Sequence, residues 1–214
     1  MIYIRMRNYE SAETDKSPVL SAARTPIGAF NGAFKDLSAV NLGTIVAKET
    51  LKRGQLSASQ VDEVFLGQVF TAGCGMNPAR QVALNAGMPF GVPATTVNMV
   101  CGSGLKSVAL GVQSILCGNA RVVLAGGMES MSNAPYLLQG ARSGYRMGNQ
   151  QLVDSMIHDA LWDAFYDCHM GITAENLSEK YDISREAQDR YAVQSQERCQ
   201  AAIEAGKFEK EIVA

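Results

Sequence analysis

A chain of 214 residues with 47% hydrophobic content and a formal charge of −2 can bury a sizeable core, and it reads as one or two soluble globular domains. Mild acidity without any long Lys/Arg cluster argues against a nucleic-acid surface, and no apolar run approaches the roughly 18 residues of a membrane span. Small molecules or proteins are therefore the partners to expect. Cys74, Cys101, Cys117, Cys168 and Cys199 form an odd set with no C-x-x-C pair. That suits neither a disulfide framework nor zinc-ligand spacing, and it points to a reducing, cytoplasmic setting.

Residues 1–17 carry two arginines together with Glu10, Glu13 and Asp15 and have no apolar h-region, so they are expected to form a flexible tail rather than a signal or transit peptide. Ser17 and Pro18 leave only Val19 and Leu20 to open a strand, which proline shortens or confines to a sheet edge. Arg24, Thr25 and Pro26 start a turn-rich segment in which Phe30, between Gly28 and Gly32, is expected to anchor in the core.

From Leu37 to Arg53, apolar Leu42, Ile45, Val46 and Leu51 predict an amphipathic helix closed by Lys52, Arg53 and a C′ glycine, Gly54. Val61 to Phe70 reads as a mostly buried strand. A second helix follows, with Asn77 as N-cap, Pro78 at its first position and Gly87 as terminator. Ala94 to Val100 supplies the next strand. From Leu105, Val108, Ala109, Val112, Ile115 and Leu116 give a helix ending near Gly118, and Arg121 to Ala125 is a strand broken by Gly126 and Gly127.

A strand, helix, strand unit of this length is a right-handed crossover between parallel strands, so the fold class is α/β. After Pro135 the chain turns polar and glycine-rich from Gly140 to Gln151, then helical with no convincing strand to Gly206, with Ser184 capping the last long helix. The expected organisation is a tail over 1–17, an α/β domain over 18–130 and a largely helical domain over 131–214. The closing EIVA reads as the start of a further strand.

The chemistry concentrates at NMVCGSGLKSV, Asn98 to Val108. Cys101 sits where a strand passes into a helix, and a helix N-terminus offers free N–H groups and a positive dipole end that favour negative charge. This makes Cys101 a candidate nucleophile. Gly102 and Gly104 leave room for a substrate carbonyl to approach main-chain N–H donors. The alternative is a packed cysteine at a strand end.

NMVCGSGLKSVALG, with VVLAGGMESMSNAP (Val122 to Pro135), SAARTPIGAFNGAF (Ser21 to Phe34), NPARQ (Asn77 to Gln81) and CHMGITAEN (Cys168 to Asn176), resembles the thiolase family, and within it the short-chain acetyl-CoA acetyltransferases. The resemblance covers nearly everything from Ser21 onward. It implies a thiolase-like fold, with a layered N-terminal α/β domain containing a mixed sheet, a helical substrate-binding loop domain, and no C-terminal thiolase domain in this sequence. It also implies that Cys101 takes an acetyl group as a thioester, with its own backbone N–H forming part of an oxyanion hole.

The family's activating histidine in a GHP-type motif, its asparagine in an NEAF-type motif and its second cysteine in a C-x-G-G-G-type motif do not occur here. The catalytic set is therefore expected to be incomplete, and the fragment inactive on its own. His169 and Met170 match residues that line the channel for coenzyme A and a short acyl group, and Leu161 matches a further coenzyme A contact. Trp162 is expected to be a core or interface anchor. His158, beside Asp154 and Asp159, is expected to be exposed or capping.

Met76 departs from the family's usual glutamine, and Gln196 replaces the tyrosine of potassium-dependent relatives, which argues against a potassium site. Coenzyme A thioesters are the implied substrates, with no tightly bound cofactor, no metal, no nucleic acid and no membrane. A complete chain is implied to form homodimers or homotetramers. Two other readings stand beside this one: a longer-chain 3-ketoacyl-CoA thiolase, disfavoured by His169, and a non-catalytic fragment or partner of a full-length thiolase.

Overall fold

The alternation of apolar runs with amphipathic stretches builds a five-stranded sheet with helices on both faces. In this computed structural model residues 1–6 and 19–213 are described. In chain order the larger elements are β1 (Ile2–Met6), β2 (Val19–Ala23), α1 (Ala39–Arg53), β3 (Glu63–Gly67), α2 (Pro78–Asn85), β4 (Ala94–Val97), α3 (Ser103–Leu116) and β5 (Val122–Gly127). After them come β6 (Tyr136–Leu137), β7 (Val153–Asp154), β8 (Trp162–Asp163), β9 (Cys168–His169), α4 (Met170–Lys180) and α5 (Arg185–Glu204). The chain divides into two compact units, Met1–Tyr136 with Ile212–Ala214, and Leu137–Glu211.

The sheet order is β2-β1-β5-β3-β4. β3 pairs in parallel with both β4 and β5, while β1 runs antiparallel to both β2 and β5, so the sheet is mixed. Side-chain alternation divides the core into two layers. Val64, Leu66, Val122 and Leu124 pack with Val46, Leu51, Val82 and Ala83 of α1 and α2, whereas Val123, Ala125 and Phe65 meet Ile115 of α3. Burial on both faces explains why β5 reads as a continuous apolar run.

Several expectations are corrected. Ile2–Met6 is not a tail. Its alternating residues put Ile2 and Ile4 into the core, 1% and 0% exposed, and the segment forms an inner strand of the sheet; the rest of that expected tail lies outside the described residues. β2 is an edge strand, as proline before it foretold. Helix α1 starts one residue after Ser38, which forms a capping box with Asn41. Gly54 follows α1 in a right-handed conformation (φ −75°), and Gln55 carries the positive φ instead. Space at 54 is tight, since a Cβ there would lie 3.2 Å from the Thr50 carbonyl oxygen, 3.3 Å from Ile4 Cγ2 and 3.4 Å from Ser21 Cβ.

β4 stops at Val97, three residues short of the expected end, and β5 continues through Gly126 and Gly127 rather than breaking at them. Phe30 is 60% exposed and is no core anchor. The second unit does contain paired strands, since β8 and β9 form a short antiparallel ladder with Trp162 opposite His169 and Asp163 opposite Cys168.

The core makes a direct prediction. Leu124 is fully buried at the centre of β5, so Leu124→Ala should lower stability by about 2–5 kcal/mol, seen as a lower urea midpoint at unchanged slope. A loss below about 1 kcal/mol would contradict this placement of the core.

Candidate active site

Beyond Val97 the chain makes a tight turn before α3. Asn98 Oδ1 accepts the Val100 N–H at 2.9 Å, and Ser103 Oγ accepts the Met99 N–H at 2.9 Å while donating to the Val100 carbonyl at 2.6 Å. Val100 has φ +47°, a left-handed conformation that a β-branched residue avoids and that costs of the order of 1–3 kcal/mol. The Asn98 and Ser103 bonds hold it there. Cys101 follows, exposed, immediately before a helix start at Gly102 that no side chain caps. The Gly102 and Ser103 N–H groups donate to the Met99 and Val100 carbonyls at 3.0 and 3.1 Å, so what lies beside Cys101 is the positive dipole end of α3 rather than free donors from its first residues.

Helix α3 lies hard against the sheet at this end. A Cβ at Gly67 would stand 2.7 Å from the Gly104 nitrogen, and one at Gly127 would stand 3.3 Å from Gly104 Cα. Gly67 ends β3 and Gly127 ends β5. Cys101 thus belongs to the carboxyl ends of the parallel strands, where open α/β sheets place ligands. A three-residue turn, Asn98 to Val100, rather than the end of β4 delivers the thiol there.

Sequence reasoning missed Glu129. Its carboxylate accepts the Val69 N–H at 2.8 Å and the Phe70 N–H at 3.2 Å, tying the chain after β5 to the chain after β3. Burial pushes its pKa above the ordinary glutamate value, and the two N–H donors pull against that shift. The available signal was an acid two residues after a fully apolar strand. Nearby, Ser130 Oγ donates to the Leu37 carbonyl at 3.0 Å, and the Asn31 N–H donates to Ser132 Oγ at 2.9 Å. These bonds border an open cavity of about 420 Å³ whose walls include Phe30, Phe34, Leu42, Met128, Glu129 and Met131, without Cys101.

The other expected site residues belong to the second unit. The antiparallel register sets Trp162 opposite His169, which brings their neighbours Leu161 and Met170 to the same end of the ladder. His169 is the N-cap of α4, its Nδ1 accepting the Gly171 N–H at 3.0 Å. Trp162 is partly exposed and donates from Nε1 to Asp167 Oδ1 at 2.9 Å. His158 is exposed within a π-helical turn, Ile157–Leu161.

Residues 17–214 match the family model described as the thiolase N-terminal domain. The chain belongs to the thiolase family. It is 58% identical over 194 residues to an acetyl-CoA acetyltransferase of Pseudomonas aeruginosa, covering 91% of this chain and 49% of that protein. It is 55% identical over 195 residues to a probable acetyl-CoA acetyltransferase of Escherichia coli, covering 91% and 50%. It is 53% identical over 203 residues to a cytosolic acetyl-CoA acetyltransferase of Rattus norvegicus, covering 95% and 51%. The chain spans about half the length of the curated relatives it matches.

The thiolase domain's geometry yields two predictions. Cys101 precedes the positive end of α3 and Cys117 caps its negative end, so iodoacetamide should modify Cys101 roughly two- to fivefold faster than Cys117, which is also exposed. Faster labelling at Cys117 or Cys199, mapped by mass spectrometry, would remove the physical basis for the nucleophile. The second prediction concerns Glu129. A raised pKa means that its contribution to stability is fully present below the ordinary value of 4.5 and is lost as pH rises through the folded value. Glu129→Gln should flatten that decline in melting temperature between about pH 4 and pH 7. An unchanged slope would show that Glu129 does not titrate differently in the fold.

Proposed function

We propose that this chain is the nucleophile-bearing half of an acetyl-CoA acetyltransferase, and that Cys101 carries the acetyl group. The observation that supports it most is Cys101 itself, exposed at the uncapped start of α3 in a chain more than half identical to relatives of that name. The Cys101 thiolate attacks the carbonyl of acetyl-CoA, the C–S bond to coenzyme A breaks, and coenzyme A leaves as its thiol after taking a proton. An enolate formed by removing a methyl proton from a second acetyl-CoA then attacks the acetyl-cysteine. A C–C bond forms, the Cys101 thioester breaks, and acetoacetyl-CoA is released. The main-chain N–H of Cys101, with the positive dipole end of α3 behind it, contributes to stabilising the tetrahedral oxyanion in both steps.

Leu161, His169 and Met170 form a wall for coenzyme A and its short acyl group, with Met170 supplying a flexible apolar surface. Nδ1 of His169 is engaged in capping α4, which fixes the ring and leaves Nε2 to meet the substrate. Coenzyme A thioesters are substrates, and no tightly bound cofactor is invoked. A cytoplasmic location is in keeping with the rat relative, named as cytosolic, and no helix among the described residues is long and apolar enough to cross a membrane. The complete enzyme is a homodimer or homotetramer in this reading.

The half-length match supports one further reading, a non-catalytic partner of a full-length thiolase, which shares the prediction that the chain alone does not turn over. Incubation with acetyl-CoA at mildly alkaline pH should leave an acetyl adduct that peptide mapping assigns to Cys101 and that Cys101→Ala abolishes. Sustained thiolysis of acetoacetyl-CoA should be absent, since a positioned acid or base typically supplies about 10² to 10⁴ in rate. An adduct that survives Cys101→Ala would sink the nucleophile assignment. Sustained turnover would sink the half-site reading.

A further inference from the structure

The peptide bond between Val100 and Cys101 carries two groups of interest, the Val100 carbonyl and the Cys101 N–H. No peptide bond among the described residues is cis, so these two groups point in opposite directions. The Val100 carbonyl accepts from Ser103 Oγ at 2.6 Å and from the Ser103 N–H at 3.1 Å, and Ser103 is buried, 4% exposed. Holding the oxygen on the buried side turns the Cys101 N–H the other way, to the side of the exposed thiol. The Gly102 and Ser103 N–H groups are bonded to the Met99 and Val100 carbonyls. Of residues 101–103, Cys101 is thus the one whose N–H is left to meet a substrate oxygen.

The Ser103 hydroxyl is not a helix cap. Serine at a helix start ordinarily turns its oxygen to the first N–H groups of the helix, yet α3 has no side-chain cap, and Ser103 Oγ reaches back into the turn instead. It accepts the Met99 N–H at 2.9 Å while donating to the Val100 carbonyl, so one hydroxyl spans the turn. A Cβ at Gly67 would lie 2.7 Å from Ser103 Cβ, and Ser107 Oγ donates to the Ser103 carbonyl at 2.9 Å. Seated there, the hydroxyl is kept from the reacting atoms. What it restrains is Val100 at φ +47°, a conformation that a β-branched residue leaves when nothing holds it.

We propose, resting on the reading of Cys101 as the acetyl carrier, that Ser103 is a positioning residue for acyl transfer, acting through the Val100 carbonyl to aim the Cys101 N–H at the oxyanion. When the Cys101 thiolate adds to the carbonyl of acetyl-CoA, an Sγ–C bond forms and the carbonyl oxygen takes the negative charge. Collapse of this intermediate breaks the C–S bond to coenzyme A, which leaves as a thiolate and takes a proton from solvent. Alkylation by iodoacetamide also forms an Sγ–C bond, but it displaces iodide and puts no charge on oxygen. Ser103 therefore acts on the first reaction and not on the second.

The test compares the two reactions at Cys101 in the full chain, mapped by mass spectrometry. Ser103→Ala should be acetylated by acetyl-CoA at least about tenfold more slowly than the unaltered chain, while its alkylation by iodoacetamide stays within about twofold and keeps its pH midpoint. Ser103→Thr, which retains a hydroxyl, should recover the acetylation rate. Three results would overturn the proposal: both reactions slowed equally by Ser103→Ala, acetylation unchanged by it, or Ser103→Thr as slow as Ser103→Ala. All three leave Cys101 as the acetyl carrier, whereas an unaltered chain that forms no acetyl adduct at Cys101 overturns that reading and this role together. If Ser103→Ala does not fold, Ser103→Gly removes the same hydroxyl and is held to the same outcomes.

Discussion

The close approach of α3 to the ends of β3 and β5 is the contact on which the first unit depends. It exists because Gly67, Gly104 and Gly127 bring no side chain to the interface. Closer packing there fixes the height of the first turn of α3, which in turn fixes where the preceding residue can stand. Ser103 then serves both elements. Its backbone belongs to the helix, and its hydroxyl holds Met99 and Val100 in the turn. The strain at Val100 is the local consequence of joining β4 to α3 in so few residues, and the result is an exposed thiol at a helix start.

Glu129 belongs to the same constraint from the other side. The chain leaving β5 and the chain leaving β3 must stay together for α3 to rest on both, and a carboxylate bridging two backbone N–H groups holds them. Met128 adds a main-chain bond to Gly67 at 3.0 Å. Burying an acid opposes its ionisation, and the hydrogen bonds to the ionised form offset only part of that cost, so the pKa stays raised. The pair of effects explains why a charged residue is tolerated two residues after a strand buried on both faces.

In the second unit the organising feature is smaller. A short ladder between β8 and β9 delivers His169 to the start of α4, where the ring caps the helix through Nδ1. A histidine at an N-cap is held in one orientation by the backbone it satisfies. That fixed ring, with Met170 as the first residue of α4, is the physical content behind the CHMG pattern.

The sequence by itself determined the α/β class, the helices α1, α2 and α3 to within a few residues, and Cys101 as the residue to single out, because periodicity, capping residues and a glycine-flanked cysteine are local signals. Asn77, Pro78 and Gly87 mark α2 in the sequence and do so in the fold, with Asn77 accepting from the Arg80 N–H. Tertiary structure decided the rest. Gly54, Gly126 and Gly127 looked like local punctuation, yet other chain segments press against them. Ile2–Met6, five residues with one charge among them, is too short to announce itself as a strand, and its place between β2 and β5 makes it one. Glu129 has no local partner at all. Its donors lie some sixty residues earlier in the chain, a distance that no pattern of neighbouring residues can encode.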